Sequence, residues 1–279
     1  MKIVKVGNIR IGQGNPIVLI AGPCVIESEE ITFRTASKIK EITSRLNIPF
    51  IFKSSYDKSN RSSVEYYRGP GVKEGIKILK KIKDELSIPV LSDVHCRNEI
   101  PIAAEVLDVI QIPAYLCQQT DLVVESAKSG KVLNIKKGQF LAPWDMKKIV
   151  EKAKSTGNDN ILLTERGTVF GYNNLVCDIR SIKIMQDIGY PVFVDVTHII
   201  RMPGPPSKDS RGGQPEFIPV IALASSAAGA DGLFLEVHPE PKTALCDAAS
   251  MLKLDYLEEL LVKVKQVSEV VRKKEGKTK

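Results

Sequence analysis

Residues 17 to 53 read IVLIAGPCVIESEEITFRTASKIKEITSRLNIPFIFK. The stretch opens on an apolar run, Ile17–Ala21, and closes on another, Phe50–Lys53. Between them, Glu30–Leu46 sets Ile31, Ala36, Ile39, Ile42 and Leu46 at helical spacing. A buried strand, a helix and a second buried strand make a βαβ unit. The pattern continues outward through the chain. Further β-rich runs fall at Val90–Asp93, Val109–Ile112, Val132–Ile135, Ile161–Thr164, Val192–Asp195 and Leu233–Glu236. Most are near-continuous apolar runs, as expected of parallel strands buried on both faces. Helical spacing recurs at Val72–Leu86, Glu99–Leu107, Leu122–Lys128, Met146–Ala153, Asp178–Ile188, Glu216–Ala230 and Leu254–Val271, with Thr120 and Asp121 as the expected N-cap before Leu122. Eight β-then-α units can close into a (β/α)8 TIM barrel of α/β class, the rival being an open doubly wound sheet.

The opening residues, MKIVKVGNIRIGQG, alternate apolar and polar and lack a long apolar segment. They read as an N-terminal β-hairpin over residues 1–14, turning near Gly7-Asn8, and not as a signal peptide. No Pro/Ser-rich linker interrupts the chain, so one domain is expected over residues 1–279, with Arg272–Lys279 as a frayed tail. The net charge is +7, but outside that tail the basic residues are scattered. This pattern favours anionic small molecules over nucleic acid or a membrane surface. The five cysteines, Cys24, Cys96, Cys117, Cys177 and Cys246, are odd in number and widely spaced, which points to reduced thiols in the cytoplasm. No apolar run approaches the ~20 residues that span a bilayer.

The residues at the end of each run carry the functional signal. Gly22-Pro23-Cys24 follows the first, and Lys53-Ser54-Ser55 ends the second. Asp93-Val94-His95 and Gln111-Ile112-Pro113 close the third and fourth. Lys136-Lys137, Glu165-Arg166, Asp195-Val196-Thr197-His198 and Glu236-Val237-His238 close the rest. In a barrel these C-terminal strand ends converge on one mouth, where active sites sit. Unpaired buried charge is costly, so its concentration there points to an enzyme.

The groups divide by type. Lys53, Lys58, Arg61, Lys136 and Arg166 are cations from three strand ends. Any one alone would be an ordinary surface residue. Together they suit a ligand with several negative charges, such as two phosphates or a phosphate and a carboxylate. Cys24, His198, Glu236 and Asp247 can hold one divalent ion, and mixed S, N and O donors suit zinc, iron(II) or manganese. Taken singly, Cys24 is equally a small buried hydrophobe. Cys246 and His238 rank lower as ligands because their neighbours occupy better-supported positions. Neither GxxxxGK nor GxGxxG occurs, so neither ATP nor a nicotinamide cofactor is indicated.

These residues fall within recognisable motifs. Ala21-Gly22-Pro23-Cys24-Val25-Ile26-Glu27-Ser28 resembles the opening motif shared by Kdo 8-phosphate synthases and one class of DAHP synthases. The stretch Phe52 to Ser63, FKSSYDKSNRSS, resembles the Kdo 8-phosphate synthase signature. So do Gln111-Ile112-Pro113-Ala114, Asn134-Ile135-Lys136-Lys137-Gly138-Gln139-Phe140, Thr164-Glu165-Arg166-Gly167, Asp195-Val196-Thr197-His198 and Glu236-Val237-His238-Pro239-Glu240-Pro241.

The resemblance implies a cytoplasmic transferase, homotetrameric, that joins phosphoenolpyruvate to arabinose 5-phosphate. It implies phosphoenolpyruvate on Lys53, Lys58, Gln111, Lys136 and Arg166, with His198 near its phosphate. The sugar would be held by Asn60, Asp93, Pro113 and Ala114, with Arg61 and Ser62 at its phosphate. Lys53, Lys58, Asn60, His198 and Asp247 would be the catalytic group. Cys24, where a metal-independent branch carries Asn, implies the metal-dependent branch, with His198, Glu236 and Asp247 as co-ligands of one divalent ion per subunit. Two departures stand out. Gln118, in Cys117-Gln118-Gln119-Thr120-Asp121, replaces an Arg that many relatives direct at a neighbouring subunit's sugar phosphate. The Gly/Pro/Ser-rich stretch Pro203–Pro215 is longer than in some relatives and is expected to be a lid. The nearest rival is a DAHP synthase using erythrose 4-phosphate, whose expected Lys-Pro-Arg-Thr stretch is absent. A barrel that binds phosphosugars as a sensor is the rival from another class; the intact cation and metal sets argue against it.

Overall fold

The computed structural model describes residues 1–169, 174–202 and 209–275. Eight parallel strands form the barrel: β1 Val18–Gly22, β2 Phe50–Lys53, β3 Val90–Asp93, β4 Val109–Ile112, β5 Val132–Lys136, β6 Ile161–Glu165, β7 Val192–Asp195 and β8 Gly232–His238. Each pairs with the next, and β8 pairs with both β7 and β1. The sheet is therefore closed, and the open doubly wound alternative is excluded. The helices that follow the strands are α1 Glu29–Leu46, α2 Val72–Leu86, α3 Ile100–Val106, α4 Thr120–Lys128, α5 Met146–Lys154, α6 Arg180–Gln186, α7 Ile218–Ala227 and α8 Leu257–Glu275.

Strand alternation divides the apolar residues into two layers. Leu19 and Ala21 face the helices, in the main core. Val18 and Ile20 face inward, with Ile51, Leu91, Val109, Val132, Leu162, Phe193 and Phe234. The expected hairpin joins this inner layer. Val4–Val6 pairs antiparallel with Ile9–Ile11, and Val4, Val6 and Ile11 plug the N-terminal end of the barrel. The inner layer is tight: a Cβ at Gly232 would lie 2.0 Å from the Phe193 ring.

Several boundaries differ from the sequence reading, each for a local reason. Ser28 caps α1, its hydroxyl accepting from Ile31 N at 3.2 Å. Thr120 is not a cap but the first residue of α4, and Gln119 holds the cap position without a side-chain bond. β8 runs on to His238 because Val237 and His238 pair with a short strand, Leu252–Lys253. A small hairpin, Thr168–Val169 with Leu175–Val176, follows β6. α8 continues through Glu275, past the start of the expected tail, because Arg272 donates to Ala230 O at 2.9 Å and also to Asn15 O. Residues 276–279 lie outside the described residues.

Candidate active site

Each inward apolar position has a polar residue two places further along its strand. Ile51 leads to Lys53, Leu91 to Asp93, Val109 to Gln111, Val132 to Asn134 and then Lys136, Leu162 to Thr164, Phe193 to Asp195, and Phe234 to Glu236. A period of two sends all of them inward, so the apolar plug is roofed by a polar layer at the mouth. Gly22 takes this place on β1, where a Cβ would sit 1.9 Å from the Lys53 carbonyl oxygen.

The layer is buried and must satisfy itself. A lateral chain runs across four strands. Ser55 Oγ and Gln111 Nε2 both donate to Asp93, Asn134 Nδ2 donates to Gln111 Oε1 at 2.7 Å, and Thr164 Oγ1 donates to Asn134 Oδ1 at 2.6 Å. Burial opposes the charge of Asp93, but Lys53, Lys58, His95 and Lys136 outweigh it and hold the carboxyl well below its ordinary range. Lys136 Nζ lies 2.5 Å from Asp195 Oδ2 and 3.8 Å from the centre of the Phe234 ring. Burial lowers the pKa of Lys136, with Asp195 working the other way.

The expected metal ligands converge from β1, β7, β8 and the loop after β8. His198 Nδ1 lies 2.8 Å from Asp195 Oδ2, which leaves Nε2 turned to Asp247 Oδ2 at 3.4 Å and Glu236 Oε1 at 3.8 Å. A carboxylate behind one imidazole nitrogen orients the other as a donor. Glu236 Oε1 also faces Lys53 Nζ at 3.4 Å and Lys58 Nζ at 3.8 Å. Glu236 Oε2 is buried with no hydrogen-bond partner among the described residues. An anionic oxygen so placed fits a cation, and the mixed donors fit a divalent transition metal. Ligand atoms of His198, Glu236 and Asp247 all lie within 4.8 Å of one another, as do those of Cys24, Cys246 and Asp247. Cys246, ranked low from sequence, thus stands in the site, its Sγ 2.9 Å from Cys24 Sγ. His238 does not: its Nδ1 accepts from Glu240 N and its Nε2 faces Glu27 Oε2 at 3.6 Å.

Above this layer a cavity of about 370 Å³ opens, walled by Lys58, Asn60, Arg61, Ser62, Arg166 and His198 among others. Pro113 and Ala114 lead from β4 into the short turn Ala114–Leu116, whose Tyr115 also lines the cavity. Of the strand-end cations expected from sequence, Lys58, Arg61 and Arg166 line this cavity, while Lys53 and Lys136 pair with Glu236 and Asp195 in the buried layer. Arg61 is turned aside: its guanidinium donates to Leu245 O at 3.2 Å and to Cys246 Sγ at 2.9 Å. Gln118 is exposed, and its carbonyl accepts from Lys152.

Sequence reading missed two groups. Arg201 lines the cavity and contacts Asp247 Oδ1 at 2.7 Å. Burial opposes the charge of Asp247, but Arg201 and then His198 hold its pKa well below the ordinary value. Lys137 is fully buried and binds Gly138 O, Leu141 O, Gly167 O and Thr168 Oγ1, tying the loop after β5 to the loop after β6. Its position directly after Lys136 was the available signal. The base of the expected lid is pinned by Met202 N to Gly212 O and Gln214 N to Ile200 O. Residues 203–208 of that lid lie outside the described residues.

Against known families, the model of the DAHP synthetase I family matches residues 1–273. The chain belongs to the DAHP synthetase I family. Within it, the chain is 57% identical over 272 residues to a protein of Geotalea uraniireducens (strain Rf4) named 2-dehydro-3-deoxyphosphooctonate aldolase, covering 98% of this chain and 100% of the relative. Proteins of the same name in Trichlorobacter lovleyi and Geobacter sulfurreducens are 54% and 52% identical, over 97% and 96% of this chain and 99% and 98% of theirs. This family member has no helix, among the described residues, long and apolar enough to cross a membrane.

Proposed function

We propose that the protein condenses phosphoenolpyruvate with arabinose 5-phosphate and water, giving 3-deoxy-D-manno-octulosonate 8-phosphate and phosphate. The observation that carries this is the set of cations around one mouth, in a chain that matches proteins named for that octonate product along almost their whole length. Lys53, Lys136 and Arg166 are buried around the mouth, where they suit a carboxylate and a phosphate together. Asn60, Arg61 and Ser62 line the outer cavity, where the sugar phosphate would lie. The enol carbon C3 attacks the aldehyde, water adds at C2, and the phosphohemiketal then loses phosphate by C–O cleavage. Fixed cations stabilise the charge as it moves from enol to phosphate, and Asp93 and Gln111, locked to each other, present a rigid floor. A mouth closed to bulk water protects the cationic C2 centre from side reactions.

Cys24, His198, Glu236 and Asp247 would hold one divalent ion, zinc, iron(II) or manganese. When bound, the ion supplies Lewis-acid charge beside the reacting groups. His198 keeps its Nε2 available because Asp195 occupies the Nδ1 side. Its backbone N also donates to Asp195 Oδ1, fixing the short turn that carries it.

One assay tests both parts. Phosphate release from phosphoenolpyruvate is measured with arabinose 5-phosphate or erythrose 4-phosphate, with and without chelator. The expected outcome is strong preference for arabinose 5-phosphate and loss of most activity on chelation, restored by zinc, iron(II), manganese or cadmium. Faster turnover of erythrose 4-phosphate would refute the acceptor. Full activity in chelated protein, with no metal by elemental analysis, would refute the metal.

A further inference from the structure

The loop after β8 presents two adjacent side chains to the same point. Asp247 has φ 50°, the left-handed region that a non-glycine residue rarely adopts. The loop is fixed by its flanks: Glu27 Oε1 accepts from Leu245 N at 2.8 Å, and Asp247 O accepts from Ser250 N at 3.0 Å. Cys246 Sγ then lies 2.9 Å from Cys24 Sγ, and both residues are 1% exposed.

The two donor groups, Cys24 with Cys246 and Asp247, and His198 with Glu236 and Asp247, share Asp247. Two sulfurs each about 2.3 Å from one ion lie about 3.3–3.8 Å apart at the ligand angles of a five- or four-coordinate site. The thiol pair needs to open by less than an ångström to meet that spacing. Each anionic donor near Cys24 already has its own cation. Arg61 Nη1 lies 2.9 Å from Cys246 Sγ, Arg201 Nη1 2.7 Å from Asp247 Oδ1, and Lys53 and Lys58 face Glu236 Oε1. A second sulfur can thus join the ion without leaving the added negative charge unbalanced.

We infer that Cys246 is a second sulfur ligand of the metal held by Cys24, His198, Glu236 and Asp247. The inference rests on the metal reading proposed above and deepens it. Two thiolates make the site thiophilic, favouring zinc and cadmium over manganese. They also link the ion to the sugar-phosphate subsite, because Arg61 donates to the sulfur of Cys246.

X-ray absorption at the zinc edge of the full chain, stripped and reloaded with one equivalent of zinc, counts the sulfurs directly. Two sulfur scatterers at about 2.3 Å are expected. Cys246→Ser and Cys24→Ala should each leave one, and circular dichroism shows whether each variant is folded. The ratio of cadmium to manganese affinity should fall about tenfold or more in Cys246→Ser, a scale on which even outer-shell changes act. One sulfur in the parent protein and none in folded Cys24→Ala would overturn the inference while leaving the metal reading intact. Failure to take up zinc at all would overturn both. A parent chain lighter by two hydrogens, with one peptide joining Cys24 to Cys246, would mean a disulfide and would also overturn it.

Discussion

Arg61 is the residue at which sequence and structure ask different things of one side chain. The resemblance implies that it meets the sugar phosphate, whereas in the structure its guanidinium bonds Cys246 Sγ and Leu245 O, and its Nε is buried without a hydrogen-bond partner among the described residues. Arg61→Ala should weaken sugar-phosphate binding by about 1.5–3 kcal/mol, the scale of a hydrogen bond to a charged group. The Michaelis constant for the sugar should rise while that for phosphoenolpyruvate moves little; an unchanged sugar constant counts against the assignment.

Asp93 makes a second prediction at the same scale. Its folded-state pKa is depressed, so its stabilising contribution is present above the unfolded value of about 3.9 and is lost as pH falls through the folded value. Between those limits one proton is worth about 1.4 kcal/mol per pH unit. Denaturant titrations between pH 4 and 2 should therefore show a shallower acid slope in Asp93→Asn than in the parent. Parallel slopes would remove Asp93 from the acid response.

Among the elements, the N-terminal hairpin has the clearest separable role. It lies at the N-terminal end of the barrel, where Val4, Val6 and Ile11 complete the inner apolar layer. Ile11 is fully buried, and Ile11→Ala leaves a cavity against barrel side chains that have little room to collapse. A loss of about 2–4 kcal/mol is expected by denaturant titration, with turnover preserved because the mouth is at the other end. A large fall in turnover in the folded variant would show that the plug also shapes the mouth.

For the whole molecule, the rim of the mouth carries exposed apolar residues: Tyr115, Phe140 and Trp144 are 58%, 52% and 64% exposed. Apolar surface beside an active site is commonly covered by another subunit. A homotetramer is expected by light scattering. Trp144, the only tryptophan, should shift its emission to the red when the assembly is diluted apart. A monomer at assay concentration, with emission unchanged by dilution, would leave the rim as plain surface.

The sequence by itself determined eight β-then-α units and the polar residues that end their strands, while closure of the sheet rests on the pairing of β8 with β7 and β1. Continuous apolar runs report burial on both faces, and a polar residue two places beyond an inward apolar one must reach the mouth. Lys53, Asp93, Gln111, Lys136, Asp195 and Glu236 were all legible that way, because strand period is a local property. Only the tertiary structure decided which of these groups meet. Arg201 on Asp247, Lys137 on four oxygens, and Cys246 beside Cys24 follow from loop paths and from the left-handed turn at Asp247. Those contacts join residues as far apart as 222 positions along the chain. Spacing carries no information over such a separation; barrel closure brings β8 beside β1 and puts the two sulfurs together.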